Sequence, residues 1–268
     1  MEKIQAYPLE TIRDNIYALR IPYKDIFTTV YFVKTAQGAL LFDAASYDCD
    51  VDNAIVPTLH QLDIGENDLK YIFISHNHPD HAGGLGRLLA LYPNACVISR
   101  SESLGKKFAS YMVVSPQEDE ILFDDLRVVF LTGHTRDSAA LYDRRTKTLI
   151  SGDSLQLYGI FGSGIWGANI SFAAEYAQNI QKLRNMDIDA ILTAHNYHPC
   201  GRMFFGKSEI TAALDACLAP FALIRKLIEE SPDADDETLC KRYNAQGDLP
   251  TLGAHVIKKY REGTSTSV

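Results

Sequence analysis

The stretch Ser75-His76-Asn77-His78-Pro79-Asp80-His81-Ala82-Gly83-Gly84 constrains this chain more than any other feature. It follows a short apolar run, Tyr71-Ile72-Phe73-Ile74, and precedes a segment that reads as a helix, Gly84 to Leu91. A short apolar run of this kind is the signature of a buried strand. In an extended chain alternate side chains share a face, so His76 and His78 point to one side. Asp80 and His81 fall where the chain turns into the helix and face a neighbouring position. Three imidazoles and a carboxylate within six residues form a donor set suited to borderline divalent ions such as zinc. A single histidine in a surface turn needs no function. Four ligand-type side chains at a strand-to-helix boundary point to a metal. Gly83-Gly84 is expected to let the turn pass close to the metals without a side-chain clash.

The rest of the chain reads as two β-rich halves. Ile16 to Ile21, Thr28 to Lys34 and Ala39 to Phe42 have strand character, with a hairpin turn at Gln37-Gly38. A helix over Val51 to Leu62 is weakened by Pro57, and Ala95 to Ser99 is a further strand. In the second half, 120–123, 127–131, 138–143, 148–151 and 190–193 read as strands, and 173–185 as a helix. This order predicts an α/β chain with two stacked sheets and helices on their outer faces. From residue 207 apolar residues recur at helical spacing, from Ile210 to Ile228, with Pro220 expected to kink or split the helix. Shorter helices are expected near 236–243 and 251–260. We therefore divide the chain into a main domain, 1–206, and a helical extension, 207–268.

A length of 268 residues is enough to bury a full core. Apolar runs are short and broken by charge, so no span of a bilayer is expected. Met1 to Gln5 lacks a basic stretch followed by an apolar one, so no secretory signal is expected. The five cysteines, Cys49, Cys96, Cys200, Cys217 and Cys240, are odd in number and widely spaced. They argue against a disulfide framework or a thiolate zinc site and for a cytoplasmic location. Cys49 and Cys200 are placed to approach the site. A net charge of −8 disfavours nucleic acid as a partner. The acidic runs at 118–120 and 233–237 read as solvated surface.

The segment His76-x-His78-x-Asp80-His81 resembles the HxHxDH motif of the metallo-β-lactamase superfamily. Further matches follow in the family's order: Leu40-Leu41-Phe42-Asp43, Thr132-Gly133-His134-Thr135, Ser151-Gly152-Asp153-Ser154 and Thr193-Ala194-His195. The resemblance spans roughly residues 16–200 and implies a four-layer αββα sandwich with a C-terminal helical extension. It implies that His76, His78 and His134 hold one metal and Asp80, His81 and His195 a second, with Asp153 bridging both. It also implies that Asp43 braces the metal loop by hydrogen bonding. Read on their own, His134, Asp153 and Asp43 are also compatible with plain turn roles. His195 competes with His198, which is a candidate for substrate contact. His60 and His255 read as surface or packing residues.

The implied activity is that of a dinuclear metal-dependent hydrolase. Two divalent ions, zinc by expectation with iron or manganese as alternatives, would present a bridging hydroxide to a small ester, thioester or lactone. Asp80 would orient that hydroxide and pass a proton to the leaving group. Class B β-lactamases of the commonest type carry Cys where this chain has Asp153; Asp there is similar to glyoxalase II and the acyl-homoserine lactonases. A phosphodiesterase or ribonuclease of the same fold and a mononuclear iron oxygenase are the alternatives, and a non-catalytic binding module is disfavoured by the intact donor set. The loop from Tyr158 to Gly167, with Phe161, Ile165 and Trp166, is expected to wall an apolar substrate pocket. Arg202 and Lys207 are candidates for holding an anionic group. The expected partner is a small molecule, with the apolar C-terminal helices available for a homodimer.

Overall fold

Alternation along the strands sorts apolar side chains onto two faces, and both faces are buried. The computed structural model describes residues 8–123, 125–157, 169–197, 200–247, 249 and 251–265. The Tyr158–Gly167 loop, with Trp166, lies at positions 158–167 and so outside the described residues, as does His198. The first sheet orders β1 (Glu10–Arg13), β2 (Ile16–Tyr23), β3 (Ile26–Thr35), β4 (Gly38–Phe42), β5 (Leu69–Phe73), β6 (Cys96–Ile98) and β7 (Val113–Val114) side by side. The second runs β13 (Gly201–Phe205), β12 (Ala190–Tyr197), β11 (Thr148–Gly152), β10 (Ala139–Asp143), β9 (Leu126–Phe130) and β8 (Ile121–Leu122). Hairpins join the antiparallel strands, whereas β4 to β7 and the β11–β12 pair are parallel. Parallel neighbours need crossovers, and helices fill them.

Tyr31, Val33, Leu40 and Phe42 of the first sheet meet Val128, Leu141, Ile150 and Leu192 of the second in one apolar cluster. The alternate residues Val30, Phe32, Ala39 and Leu41 face outward. They pack under α1 (Asp48–Asp50), a π-helical turn (Val51–Ile55), α2 (Val56–Gln61), α3 (Pro79–Ala82), α4 (Leu85–Leu91) and α5 (Glu102–Lys107). On the far side, Val129, Ala140, Leu149 and Ile191 pack against α6 (Ala173–Arg184), α7 (Gly206–Glu230), α8 (Asp236–Asn244) and α9 (Ala254–Ser265). The result is the expected four-layer αββα sandwich.

Two local expectations change. Pro220 does not split the helix, because α7 runs unbroken from Gly206 to Glu230. The proline loses one backbone bond, but Cys217, Phe221 and Ile224 on either side of it are buried and hold the helix on the sheet. Pro57 does not break its helix: the backbone is helical from Asp48 to Gln61, with the wider π-helical turn at Val51–Ile55 directly before the proline. Ile210, Leu214, Cys217 and Phe221 on α7 are buried within the chain's own core. None of the described helices is long and apolar enough to cross a membrane.

Candidate metal centre

Each candidate side chain stands just beyond the end of a strand or at a break in one. After β5 the chain leaves the sheet at Ser75, and Pro79 starts α3 with its ring at the first helical position. That turn carries Asp80 and His81 on a fixed frame beside the still-extended His76 and His78. His134 lies in the loop after β9. The carbonyl of Gly133 accepts bonds from Ser171 and Phe172, both 2.8 Å, which pins that loop to the start of α6. Asp153 follows Gly152, whose φ of +53° and contact with Ser75 leave no room for a side chain. His195 lies in β12. The pairing register is irregular between Ile150 and Gly152 and again between Leu192 and Tyr197. Such breaks re-aim side chains at the rim of a sheet, and both adjoin site residues.

These breaks bring the seven predicted donors together. Within His76–His78–His134, within His76–His81–Asp153 and within Asp80–His81–His195, the candidate ligand atoms lie within 4.8 Å of one another. His134 Nε2 is 3.0 Å from His78 Nδ1. His195 Nε2 is 3.1 Å from Asp153 and 3.3 Å from Asp80. His81 Nε2 is 3.4 Å from each of the same two carboxylates. Six of the seven are buried and His78 is half-buried.

The outward-facing ring nitrogens are bound by the protein. His134 Nδ1 bonds the Asn169 carbonyl at 2.6 Å, His195 Nδ1 the Phe27 carbonyl at 2.7 Å, and His81 Nδ1 the Asp43 carboxylate at 2.7 Å. Asp43 also accepts from the backbone N–H and the hydroxyl of Ser75, at 2.8 and 2.9 Å. It thus braces the loop as expected. The inward atoms are left over. His76 Nε2, His81 Nε2 and Asp153 Oδ1 are buried and make no hydrogen bond. Orphaned buried polar atoms are costly, and these three converge on one space. Imidazoles with an outer hydrogen bond and a bare inner nitrogen fit divalent cations.

The two triads differ electrically. Burial pushes the pKa of His134 down to about 4 against the pull of Asp153. Burial, with His81 and His134 alongside, holds His76 well below the ordinary value. These rings are neutral at pH 7 and keep free lone pairs. Burial also opposes charge on His195 and His81, but the carboxylates around them outweigh it. Asp153 and Asp80 raise His195 to about 10, and Asp80, Asp153 and Asp43 raise His81 well above its usual range.

Several contributors lay beyond the reach of the sequence. Thr28 donates to Asp80 Oδ2 at 3.1 Å. Gln156 is fully buried; its amide donates to the Asp153 carbonyl (2.9 Å) and the Tyr197 hydroxyl (3.3 Å) and accepts from the Asn169 N–H (3.1 Å). One side chain thereby ties the Asp153 turn to the residue that orients His134. Gln156→Ala is expected to lower unfolding free energy by about 2–4 kcal/mol, from three lost hydrogen bonds and a stranded N–H. Chemical denaturation measures this, and a loss below about 1 kcal/mol would show that the amide is not a frame member.

Other expectations are corrected. A side chain at Gly83 would meet the Ser46 carbonyl at 2.0 Å, and one at Gly84 the Ala44 carbonyl at 2.4 Å. These glycines admit the neighbouring loop, not the metals. Arg202 is buried and paired with Glu10, and Lys207 is exposed on α7. The described residues lining the cavity over the donor cluster include neither of them, nor Cys49 or Cys200. His60 and His255 are exposed on helices.

Comparison with known proteins agrees with this geometry. The model for the metallo-beta-lactamase superfamily matches residues 23–195. A hydroxyacylglutathione hydrolase from Rippkaea orientalis is 30% identical over 166 residues, covering 56% of this chain and 62% of that protein. One from Crocosphaera subtropica is 32% identical over 151 residues, covering 55% and 58%. The match thus spans less than two thirds of these relatives' length. A crystal structure of a metallo-beta-lactamase family protein from Thermus thermophilus superposes with a TM-score of 0.65 at 17% identity, covering 94% of this chain and 93% of that one. With the family model spanning 23–195 and the sandwich shared at that coverage, the chain belongs to the metallo-beta-lactamase superfamily.

Proposed function

We propose that this protein is a metal-dependent hydrolase that cleaves a small thioester, with esters and lactones as the neighbouring substrate classes. The observation that carries the proposal is the set of inward-facing, unbonded atoms on His76, His81 and Asp153 within a cluster of seven donors. In this reading His76, His78 and His134 hold one divalent ion, Asp80, His81 and His195 hold the other, and Asp153 reaches both. Such ions, zinc in our reading, supply Lewis acidity and lower the pKa of a bound water from about 15.7 to about 7. Thioesters come first because the relatives are named hydroxyacylglutathione hydrolases.

The chain's own residues set the geometry. Asp43 and the carbonyls of Phe27 and Asn169 keep three imidazoles aimed inward. Asp80 is the more open of the two carboxylates, with its side chain 11% exposed against 5% for Asp153. Burial opposes its ionisation, but His81 and His195 outweigh that and hold it far below the usual carboxylate range. At neutral pH it accepts a hydrogen bond from the reacting water and orients it towards the carbonyl carbon. A transient proton relay to the departing thiolate is the second part of its role. Asp80→Asn keeps the shape and removes the charge. It is expected to lower kcat by about 10²–10³-fold. Full turnover with both metals still bound would remove Asp80 from the mechanism.

The testing experiment loads the chelated protein with zinc, iron or manganese and offers thioester, ester, lactone and phosphodiester panels. Thioester cleavage restored by a divalent ion supports the reading. Turnover that consumes oxygen and needs iron would replace it with an oxygenase, and phosphodiester cleavage alone with a nuclease.

A further inference from the structure

The cavity over the donor cluster has a second recognition element at its mouth. It is lined by His78, Asp80, His134 and His195 on its floor and by Tyr23 and Lys24 at its rim. Lys24 is the one lysine or arginine among the described lining residues. It sits in the two-residue turn between β2 and β3, where Tyr23 pairs with Ile26. Its φ is +52°, in the left-handed region that suits glycine and asparagine. The ammonium lies 4.8 Å from the Tyr23 ring centroid. Tyr47, 51% exposed, stands behind it with its ring centroid 6.4 Å from that of Tyr23. The Tyr23 hydroxyl first, and then Tyr47 and Asp80, favour the charged form of the lysine.

We propose that Lys24 is a specificity-determining residue: its ammonium binds a carboxylate on the substrate, remote from the bond that breaks, while Tyr23 and Ile26, which line the cavity, cover the apolar chain between. This rests on the hydrolase reading and adds the substrate class, an anionic acyl compound. The floor and the rim then divide the work. The donor cluster takes the reacting carbonyl, and the turn takes the charge. An ammonium on an exposed turn gives modest, salt-sensitive discrimination, and position relative to the floor gives the selectivity.

The test uses binding, so it does not depend on turnover. Zinc-loaded protein is titrated calorimetrically with S-benzyl-3-mercaptopropionate and with its primary amide, neither of which can be hydrolysed as a thioester. The acid is expected to bind about five- to tenfold tighter than the amide at low salt. Lys24→Gln should erase that preference, Lys24→Arg should keep it, and salt at about 0.5 M should weaken it. Lys24→Asn removes the ammonium and suits the left-handed backbone, so it should erase the preference without lowering Tm. A merely structural lysine would lower Tm and leave the preference intact. Equal binding of acid and amide by the unmodified protein overturns the proposal. So does a preference that survives Lys24→Gln, since the metals alone would then be reading the carboxylate. Failure of the hydrolase reading looks different: discrimination between acid and amide persists, while no member of the thioester, ester and lactone panels is cleaved by any metal-loaded form.

Discussion

Asp153→Ala is expected to lower kcat/KM for thioester cleavage by about 10³-fold or more, the largest effect of any single change here. Among the described residues Asp153 is the one carboxylate with an ion-pair contact to histidines of both triads. Oδ1 faces His81 and His195 at 3.4 and 3.1 Å, and Oδ2 faces His134 at 3.6 Å. Removing it takes a negative charge from between two imidazoles that it helps keep protonated. It also takes away the one donor that both proposed metal positions share. Metal content should fall together with activity, and zinc added in excess should restore little of either. The fold should survive, because the Asp153 backbone still accepts from Gln156 and Gly152 still shapes the turn. Metal analysis, circular dichroism and the thioester assay together check this. A folded variant with two bound ions and turnover close to that of the parent would overturn the bridging role.

Chelation is expected to have the largest effect on stability. Ligands that bind only the folded state add RT ln(1 + [L]/Kd), about 4 kcal/mol at a thousandfold excess over Kd. For a chain of this size that corresponds to a Tm difference of roughly 10 °C. The gap should widen as pH rises. In the metal-free protein His195 is held at about 10, against about 6.5 for an unperturbed imidazole. A pKa raised by folding contributes stability that is complete below the unfolded value and is lost as pH climbs through the folded one. The chelated protein should therefore lose Tm progressively from about pH 6.5 to about pH 10. Metal binding displaces the inward protons of His195 and His81, so it tightens over the same range by about tenfold per pH unit for each proton. His76 and His134, neutral already, contribute no such release. Scanning calorimetry at several pH values, with and without chelator, gives both slopes. Parallel slopes would show that metal does not displace the protons of His81 and His195.

The sequence carried the sandwich well. The largely apolar runs at 28–34, 39–42 and 138–143 reflect burial on both faces, a local property of side-chain order. The His76–His81 cluster is equally local, since a strand end and a proline-started turn suffice to present it. Other features escaped because they depend on neighbours far along the chain. The two-residue strand β7 and the irregular pairing near His195 depend on which strands meet. The purpose of Gly83 became visible only beside Ser46. The continuity of α7 through Pro220 is a matter of tertiary packing, which outweighs a local helix breaker.

Which residues offer lone pairs, and in what order, is written into the covalent chain, because residue type determines donor chemistry. Which nitrogen of each ring turns inward is decided only by folding. Phe27 lies in β3, Asp43 just after β4 and Asn169 shortly before α6; the two sheets must dock before the Phe27 carbonyl can hold His195, and distant segments of each half must close up before Asp43 holds His81 and Asn169 holds His134. Folding also leaves His76 Nε2, His81 Nε2 and Asp153 Oδ1 buried without a hydrogen bond, and no spacing along the chain encodes it.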